Sequence, residues 1–206
     1  MNSWNLSGEV IRSGVKGKQY PKLWLQVAIP SPRDSLVQDN KVFITFDSDA
    51  NPNSRLGKIA EYIKATVASK KFIFVSECMI APIRQSRKLE SGEWENYDVT
   101  GIRGKLPNIT LSSDRFELIN LGIVKGLVIA SGYDEEKQAY KFVVEERYRT
   151  PIDNKWKSRE IPMLYKSEDP SIKLDNRNVF VTASLCGTTT DRESKTFGWT
   201  NKIILL

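Results

Sequence analysis

The sequence predicts an all-β protein with one helix, its strands falling into two successive sets of five. Three observations carry this. Leu23–Ile29 and Lys41–Asp47 alternate apolar and polar residues with the period of two that a half-buried strand requires. Between Ser54 and Ser69, apolar residues instead recur at spacings of three and four. Beyond a polar break at Asn108–Arg115, a second strand series repeats the order of the first.

Taken along the chain, Asn5–Arg12 reads as the opening strand, and Gly14, Gly17 and Pro21 punctuate the stretch after it. In Leu23–Ile29, Leu23, Leu25, Val27 and Ile29 share one face and Trp24, Gln26 and Ala28 the other. In Lys41–Asp47, Val42, Ile44 and Phe46 oppose Lys41, Phe43 and Thr45. The helix over 54–69 presents Leu56, Ile59, Ala60, Ile63 and Val67 on one side, with Asn53 or Ser54 as its cap. Lys71–Arg84 and Tyr97–Leu106 come next as strands, joined by a hairpin loop around Ser91-Gly92. This β-β-β-α-β-β order is that of an OB-fold barrel, whose helix sits between the third and fourth strands. The second half supplies Leu118–Ser131, Ala139–Arg149, Trp156–Tyr165, Asn178–Cys186 and Thr196–Leu206, while Lys166–Arg177 is too short and polar for a full helix. The expectation is therefore two tandem five-stranded OB-fold barrels, residues 1–113 and 114–206. The repeat is one of architecture, with no sequence repeat visible.

Composition narrows the chemistry. The 206 residues include no histidine and only two cysteines, Cys78 and Cys186. A Ser-His-Asp triad, a His-paired cysteine nucleophile and His-containing metal sites are thereby excluded. Two lone cysteines make no metal cluster or disulfide framework, and allow at most one bridge. Asp47-x-Asp49 and Asp134-Glu135-Glu136 fall in turns, where acids are common as capping groups. No enzyme, metal site or cofactor is expected. The first residues resemble no signal peptide, and no apolar run is long enough to span a membrane, so a cytoplasmic or nucleoid-associated protein is expected. The net charge is +6, and it is unevenly placed: residues 1–115 hold 17 basic and 12 acidic side chains, the remainder 14 and 13.

That charge lies beside aromatics. Trp24 and Phe43 stand opposite the aliphatic faces of their strands, accompanied by Lys22 and Lys41. Flat rings interleaved with lysines suit a single-stranded nucleic acid, whose bases stack while its phosphates meet cations. The alternative is that the rings pack under a loop or another domain. The basic hairpin carries Arg84, Arg87 and Lys88 on its way out and Trp94 and Tyr97 on its return, although Glu90, Glu93 and Glu95 offset part of its charge. The loop joining the first two strands offers Lys16, Lys18 and Tyr20. In the second half, Arg147, Tyr148, Arg149, Trp156, Lys157 and Arg159 gather around the turn at 151–154. Trp199 reads as core or interface.

These segments resemble the bacterial single-stranded DNA-binding proteins. The resemblance runs through Leu23–Ile29, Lys41–Asp47, the helix from Leu56 to Ile63, Phe72–Glu77 and the hairpin from Arg87 to Tyr97. In the second half, Asn120–Gly126 is similar to the family's opening strand and Glu146–Trp156 to its basic hairpin. It implies OB-folds, assembly into multi-barrel oligomers, and sequence-independent binding of single-stranded DNA by aromatic stacking and Lys/Arg contacts. Three departures stand out: two barrels in place of one, a chain running to Leu206 in a strand where the family has an acidic-tipped tail, and Glu160-Ile161-Pro162 where the second half should carry an aromatic. The expected partner is single-stranded DNA or RNA, held by a homo-oligomer in which two chains supply four barrels. A β-rich assembly subunit with its rings buried at interfaces is the alternative from outside nucleic-acid binding.

Overall fold

The computed structural model describes residues 1–16, 22–33, 37, 39–47, 51, 53–150, 153–189 and 194–206. The first half contains β1 (Asn2–Lys16), β2 (Lys22–Ala28), β3 (Lys41–Asp47), α1 (Arg55–Thr66), β4 (Phe72–Lys88), β5 (Trp94–Gly104) and the short β6 (Ile109–Ser112). The second contains β7 (Asn120–Asp134), β8 (Ala139–Arg149), β9 (Trp156–Lys166), β10 (Asn178–Thr189) and β11 (Ser194–Leu205). The class is the predicted one, all-β with a single α-helix among the described residues.

Strand pairing closes twice. β1 pairs with β2, β2 with β3, β3 with β5, β5 with β4, and β4 returns to β1. β7, β8, β9, β11 and β10 form the same circuit in the same order, with only β3–β5 and β9–β11 parallel. The inward positions are the apolar ones read from the alternation: Leu23, Leu25 and Val27 on β2 and Val42, Ile44 and Phe46 on β3 are fully buried. Ser54 caps α1, its Oγ accepting from the Gly57 N–H at 3.0 Å, and the helix buries Gly57, Ala60 and Ile63. Leu56, assigned to the buried face by spacing, is exposed in the first turn.

The two circuits share one sheet, because β1 also pairs antiparallel with β7 from Asn2↔Val124 to Leu6↔Asn120. At the middle of this seam Trp4 faces Gly122, and a Cβ on residue 122 would stand 2.0 Å from Trp4 Cε3. The indole is fully buried and its Nε1–H donates to Asn2 Oδ1 at 2.7 Å. Asn2 in turn exchanges hydrogen bonds with the Ile80 backbone, and Asn120 does the same with Leu185. These pairs expose a repeat that sequence reading misses. Asn2, Gly8 and Val10 of β1 recur as Asn120, Gly126 and Val128 of β7, each set followed by a register shift against the next strand.

Several boundaries differ from expectation. β4 and β5 stay paired out to Lys88↔Trp94, so the expected loop over 84–97 is mostly a two-stranded ribbon. Local alternation there is obscured by charged residues on both faces, which a solvent-exposed ribbon tolerates. Residues 109–112 form β6 against β4, so the strand series of the first half runs into the stretch read as a break. No helix forms over 166–177.

Cys78 and Cys186 are free, sealed in different circuits, with desolvation pushing each thiol up to about 12. No bridge forms between them. Neither thiol should react with a thiol-specific reagent in native protein near about pH 8, whereas both should react once the chain is unfolded in denaturant. Gly122→Ala should cost about 2–3 kcal/mol, read as a lowered urea midpoint at unchanged slope, because the new methyl group and the indole claim the same space.

Candidate nucleic-acid interface

The outer face of the first circuit is built from β1, β2 and β3. Register places Gly14 beside Trp24 and Trp24 beside Thr45, and in the next row Arg12 beside Gln26 and Gln26 beside Phe43. A Cβ on residue 14 would lie 2.5 Å from Trp24 Cζ2, so the indole fills space that only a glycine leaves open. Trp24 and Phe43 are half-buried against each other, ring centroids 5.8 Å apart and tilted by 60°. Arg12 sets its guanidinium 5.8 Å from the Phe43 ring while its Nε donates to Gln26 Oε1 at 2.6 Å. A cation held over one ring and beside another is a ready partner for a phosphate whose base stacks on the pair.

Other cations of this face are matched by acids. Lys22 lies 3.9 Å from Asp47, Arg103 lies 3.6 Å from the same carboxylate, and Lys41 contacts Asp39. Exposed pairs of this kind contribute little to stability and exchange with other anions. Arg12 and Arg103 are members of the face that sequence reading misses. Their signal is Arg12's place two residues before a glycine opposite Trp24, and Arg103's register beside Thr45.

The β4–β5 ribbon ends in a turn whose Gly92 adopts φ +88°, a left-handed conformation that favours glycine. Trp94 stands there 68% exposed, directly across the strands from Lys88. Arg84 grips Asp98 with Nε and Nη2 at 2.7 and 3.3 Å. That grip holds the carboxyl below its usual range, so Arg84's charge is already answered. The Tyr97 hydroxyl donates to Gln85 Oε1 at 3.2 Å. Arg87 pairs through its backbone with Glu95; its side chain, like that of Lys16, lies outside the described ones, as do residues Lys18 and Tyr20 altogether.

The β8–β9 hairpin repeats the device. Trp156 is 70% exposed and stands across from Arg149, whose Nε donates to the Asn154 carbonyl in the turn. Lys157 is exposed beside it, and Arg147 pairs with Glu145 at 3.0 Å. Arg159 and Tyr148 are placed differently. The Arg159 side chain is only 11% exposed; its guanidinium lies 3.9 Å from the Tyr148 ring and its Nη1 donates to Met79 Sδ of β4. Its Nε stands 3.2 Å from Glu146 Oε2, close but off the hydrogen-bonding line, and Glu146 also faces the Met1 ammonium at 3.2 Å. The Arg159 side chain is thus spent tying the hairpin to the first half, with the Tyr148 ring against it. Trp199, read as core or interface, is 8% exposed.

Two of the acids considered for catalysis act as partners of cations: Asp47 as above, and Asp134 to Lys141 at 2.7 Å, which lowers its pKa. Asp49 lies outside the described residues. Among the described residues no group of three or more acidic or thiol side chains is placed to hold a metal, and no helix is long and apolar enough to cross a membrane.

A closed β circuit with its helix between the third and fourth strands defines a chain of the OB-fold class, here with paired aromatics on its outer face. The likeness to solved structures agrees: the single-stranded DNA-binding protein from Thermus aquaticus superposes on all of this chain and 93% of its own length, with a TM-score of 0.59 and 15% sequence identity. A deletion mutant of that Thermus protein, carrying an Arg-to-Ala substitution, superposes with the same TM-score at 14% identity over 94% of its length. The resemblance read from the sequence thus extends to the fold of the whole chain. No protein-family model matches the chain, and no curated protein matches it by sequence.

Removing one partner of a buried ion pair strands the other, so Arg159→Ala should destabilise the fold by about 3 kcal/mol in urea unfolding. Arg147→Ala and Lys157→Ala, at the exposed end of the same hairpin, should change stability by less than about 0.5 kcal/mol.

Proposed function

We propose that this chain binds single-stranded DNA without reading its sequence, protecting or presenting single strands during replication, recombination or repair. The carrying observation is the outer face of β1–β3, where Trp24 and Phe43 sit half-exposed with Arg12 over one ring and lysines at the margin. Such a face recognises what every base shares, a π-surface and a phosphate, and needs no titrating or nucleophilic group. The reading takes the two strand circuits as tandem OB barrels, divided near residue 113. Within it, Trp94 beside Lys88 and Trp156 beside Arg149 act as exposed stacking posts at the rims. Lys16, Lys18, Tyr20, Lys22, Lys41, Arg84, Arg87, Tyr97, Arg147 and Lys157 border the path, while Arg159 and Tyr148 serve as positioning residues. The chain works as a binding protein, not a catalyst, in the cytoplasm or at the nucleoid. Dimers carrying four barrels fit this reading, with exposed Leu121 on β7 and Ile204 on β11 as apolar surface for self-association. The Thermus relative in fold, named as a single-stranded DNA-binding protein, supports the reading.

Tryptophan fluorescence titrated with oligo-dT, oligo-U and duplex DNA at several salt concentrations tests it. Oligo-dT should quench strongly, with log K falling linearly against log salt by about 0.7 per phosphate contacted. Preference for oligo-U would reassign the chain to RNA, and silence toward all three would leave an assembly subunit. Trp24→Ala and Phe43→Ala should each weaken oligo-dT binding by about 1–3 kcal/mol while costing about 1 kcal/mol of stability from the lost ring pair.

A further inference from the structure

We infer that the first-half face reads one base: the cleft between Arg12, Gln26 and Asp39 is a slot for the edge of a guanine. The inference rests on the proposed binding of single-stranded DNA and adds to it one position at which base identity raises affinity. The cleft encloses about 420 Å³, and Arg12, Gln26, Asp39 and Lys41 line it together with Gly187 of β10. Gly187 closes it from the second half, its N–H donating to Asn40 Oδ1 at 2.8 Å. Phe43 stands beside Gln26 in register, under the Arg12 guanidinium, and offers a stacking surface next to the slot.

A bulge supplies the donors. β1 carries one extra residue, Ile11, between Val10↔Val27 and Arg12↔Gln26. Without it Arg12 would share the inward side of Val10; with it, Arg12 turns onto the outer row of Gln26 and Phe43. Gln26 is a buried amide on an outer face, only 4% exposed. Because Arg12 Nε–H can only donate, Gln26 must present Oε1 to it, as it does at 2.6 Å. Its NH2 finds no acceptor among the described residues and is left to the cleft, beside the remaining N–H groups of Arg12. β7 makes the same bulge, between Val128↔Val144 and Ala130↔Val143. There the re-aimed residue is Ala130 and its partner is Val143, so the geometry recurs without the donors.

The mixture of groups selects the occupant. Donors alone would suit a phosphate, but Asp39 brings a carboxylate into the same cleft, paired there with Lys41. An ionised carboxylate only accepts, so it repels a phosphate and is answered by N–H groups. Guanine presents N7 and O6 as adjacent acceptors, and beside them N1–H and the N2 amino group as adjacent donors. No other base of DNA joins two adjacent acceptors to two adjacent donors. Arg12 and Gln26 answer the first pair. Asp39 answers the second, its exposed contact with Lys41 being of the kind that exchanges readily.

The test displaces a fluorophore-labelled oligo-dT from the full chain at a fixed salt concentration. The competitors are oligo-dT of about 12 nucleotides, within the reach of one OB fold, and the same oligonucleotide with one central guanine, adenine, hypoxanthine or 7-deazaguanine. The guanine oligonucleotide should bind about tenfold more tightly than oligo-dT, and the adenine one should not. Hypoxanthine lacks the N2 amino group and 7-deazaguanine the N7 acceptor, so each should forfeit about half of that gain on a logarithmic scale. Gln26→Glu still accepts from Arg12 but has no NH2, and should bring guanine level with thymine. Asp39→Ala should bring guanine level with hypoxanthine. Equal binding of the guanine, adenine and thymine oligonucleotides by the parent chain would overturn the slot and leave single-strand binding standing. A gain shared by adenine, or a guanine gain that survives in both variants, would assign the preference to stacking or to another site and overturn the slot as well. Failure of the parent chain to bind oligo-dT would overturn both readings.

Discussion

The β1–β7 seam is the contact on which the rest of the structure depends. Each circuit opens with a strand that must be paired on both sides, and here the opening strands complete each other. Trp4 and Gly122 occupy matching places in the two repeats and face each other across the ladder. Two side chains there would contest one volume; a large ring on one strand and bare backbone on the other fill it completely. The indole joins the two interiors into one apolar cluster, so the two strand circuits are coupled through their cores and not merely through surface contact. The polar atoms that this brings inside are answered by Asn2, Asn40 and Asn120, whose amides both donate and accept across strands. Buried amides satisfied in both directions hold register more strictly than apolar packing alone.

Fixing the seam fixes the outer faces. Trp24 and Phe43 lie on strands whose opposite faces are locked in the first interior, so the rings have no choice of side. The β8–β9 hairpin is anchored at its base by Arg159, Glu146 and Met79, and its tip with Trp156 is left to solvent. Buried charge at the root and exposed ring at the tip divide one sequence motif into two roles.

Much of this is legible in the sequence because it derives from period and chemistry. Alternation finds the inward sets on β2 and β3 without error, and the spacing of Ala60 and Ile63 finds the helix. The features that escape have non-local causes. Arg159 reads like Arg147 and Lys157 in sequence; only the fold places Met79 and the Tyr148 ring around it. Trp199 reads as core or interface from its place near the last strand, and it does lie low, yet Leu164 and Phe197 beside it leave a groove that no single strand's pattern reveals. The ribbon at 84–97 is hidden by charges on both faces, which erase the period-two signal. The repeat of Asn, Gly and Val between β1 and β7 is too sparse to detect until register shows which positions correspond.

The connection between the circuits has a consequence for how the molecule behaves on dilution. Residues 113–119 are held against β1: Ser7 Oγ donates to the Glu117 carbonyl and accepts from the Ile119 N–H, and Phe116 packs near Phe74. A tether this short makes the meeting of β1 and β7 an intramolecular event with an effective concentration on the order of millimolar or above. Two separate chains joined by the same ladder would part as their concentration fell. In this chain the pairing is independent of abundance, and the two faces stay in fixed one-to-one proportion and fixed orientation however scarce the protein becomes.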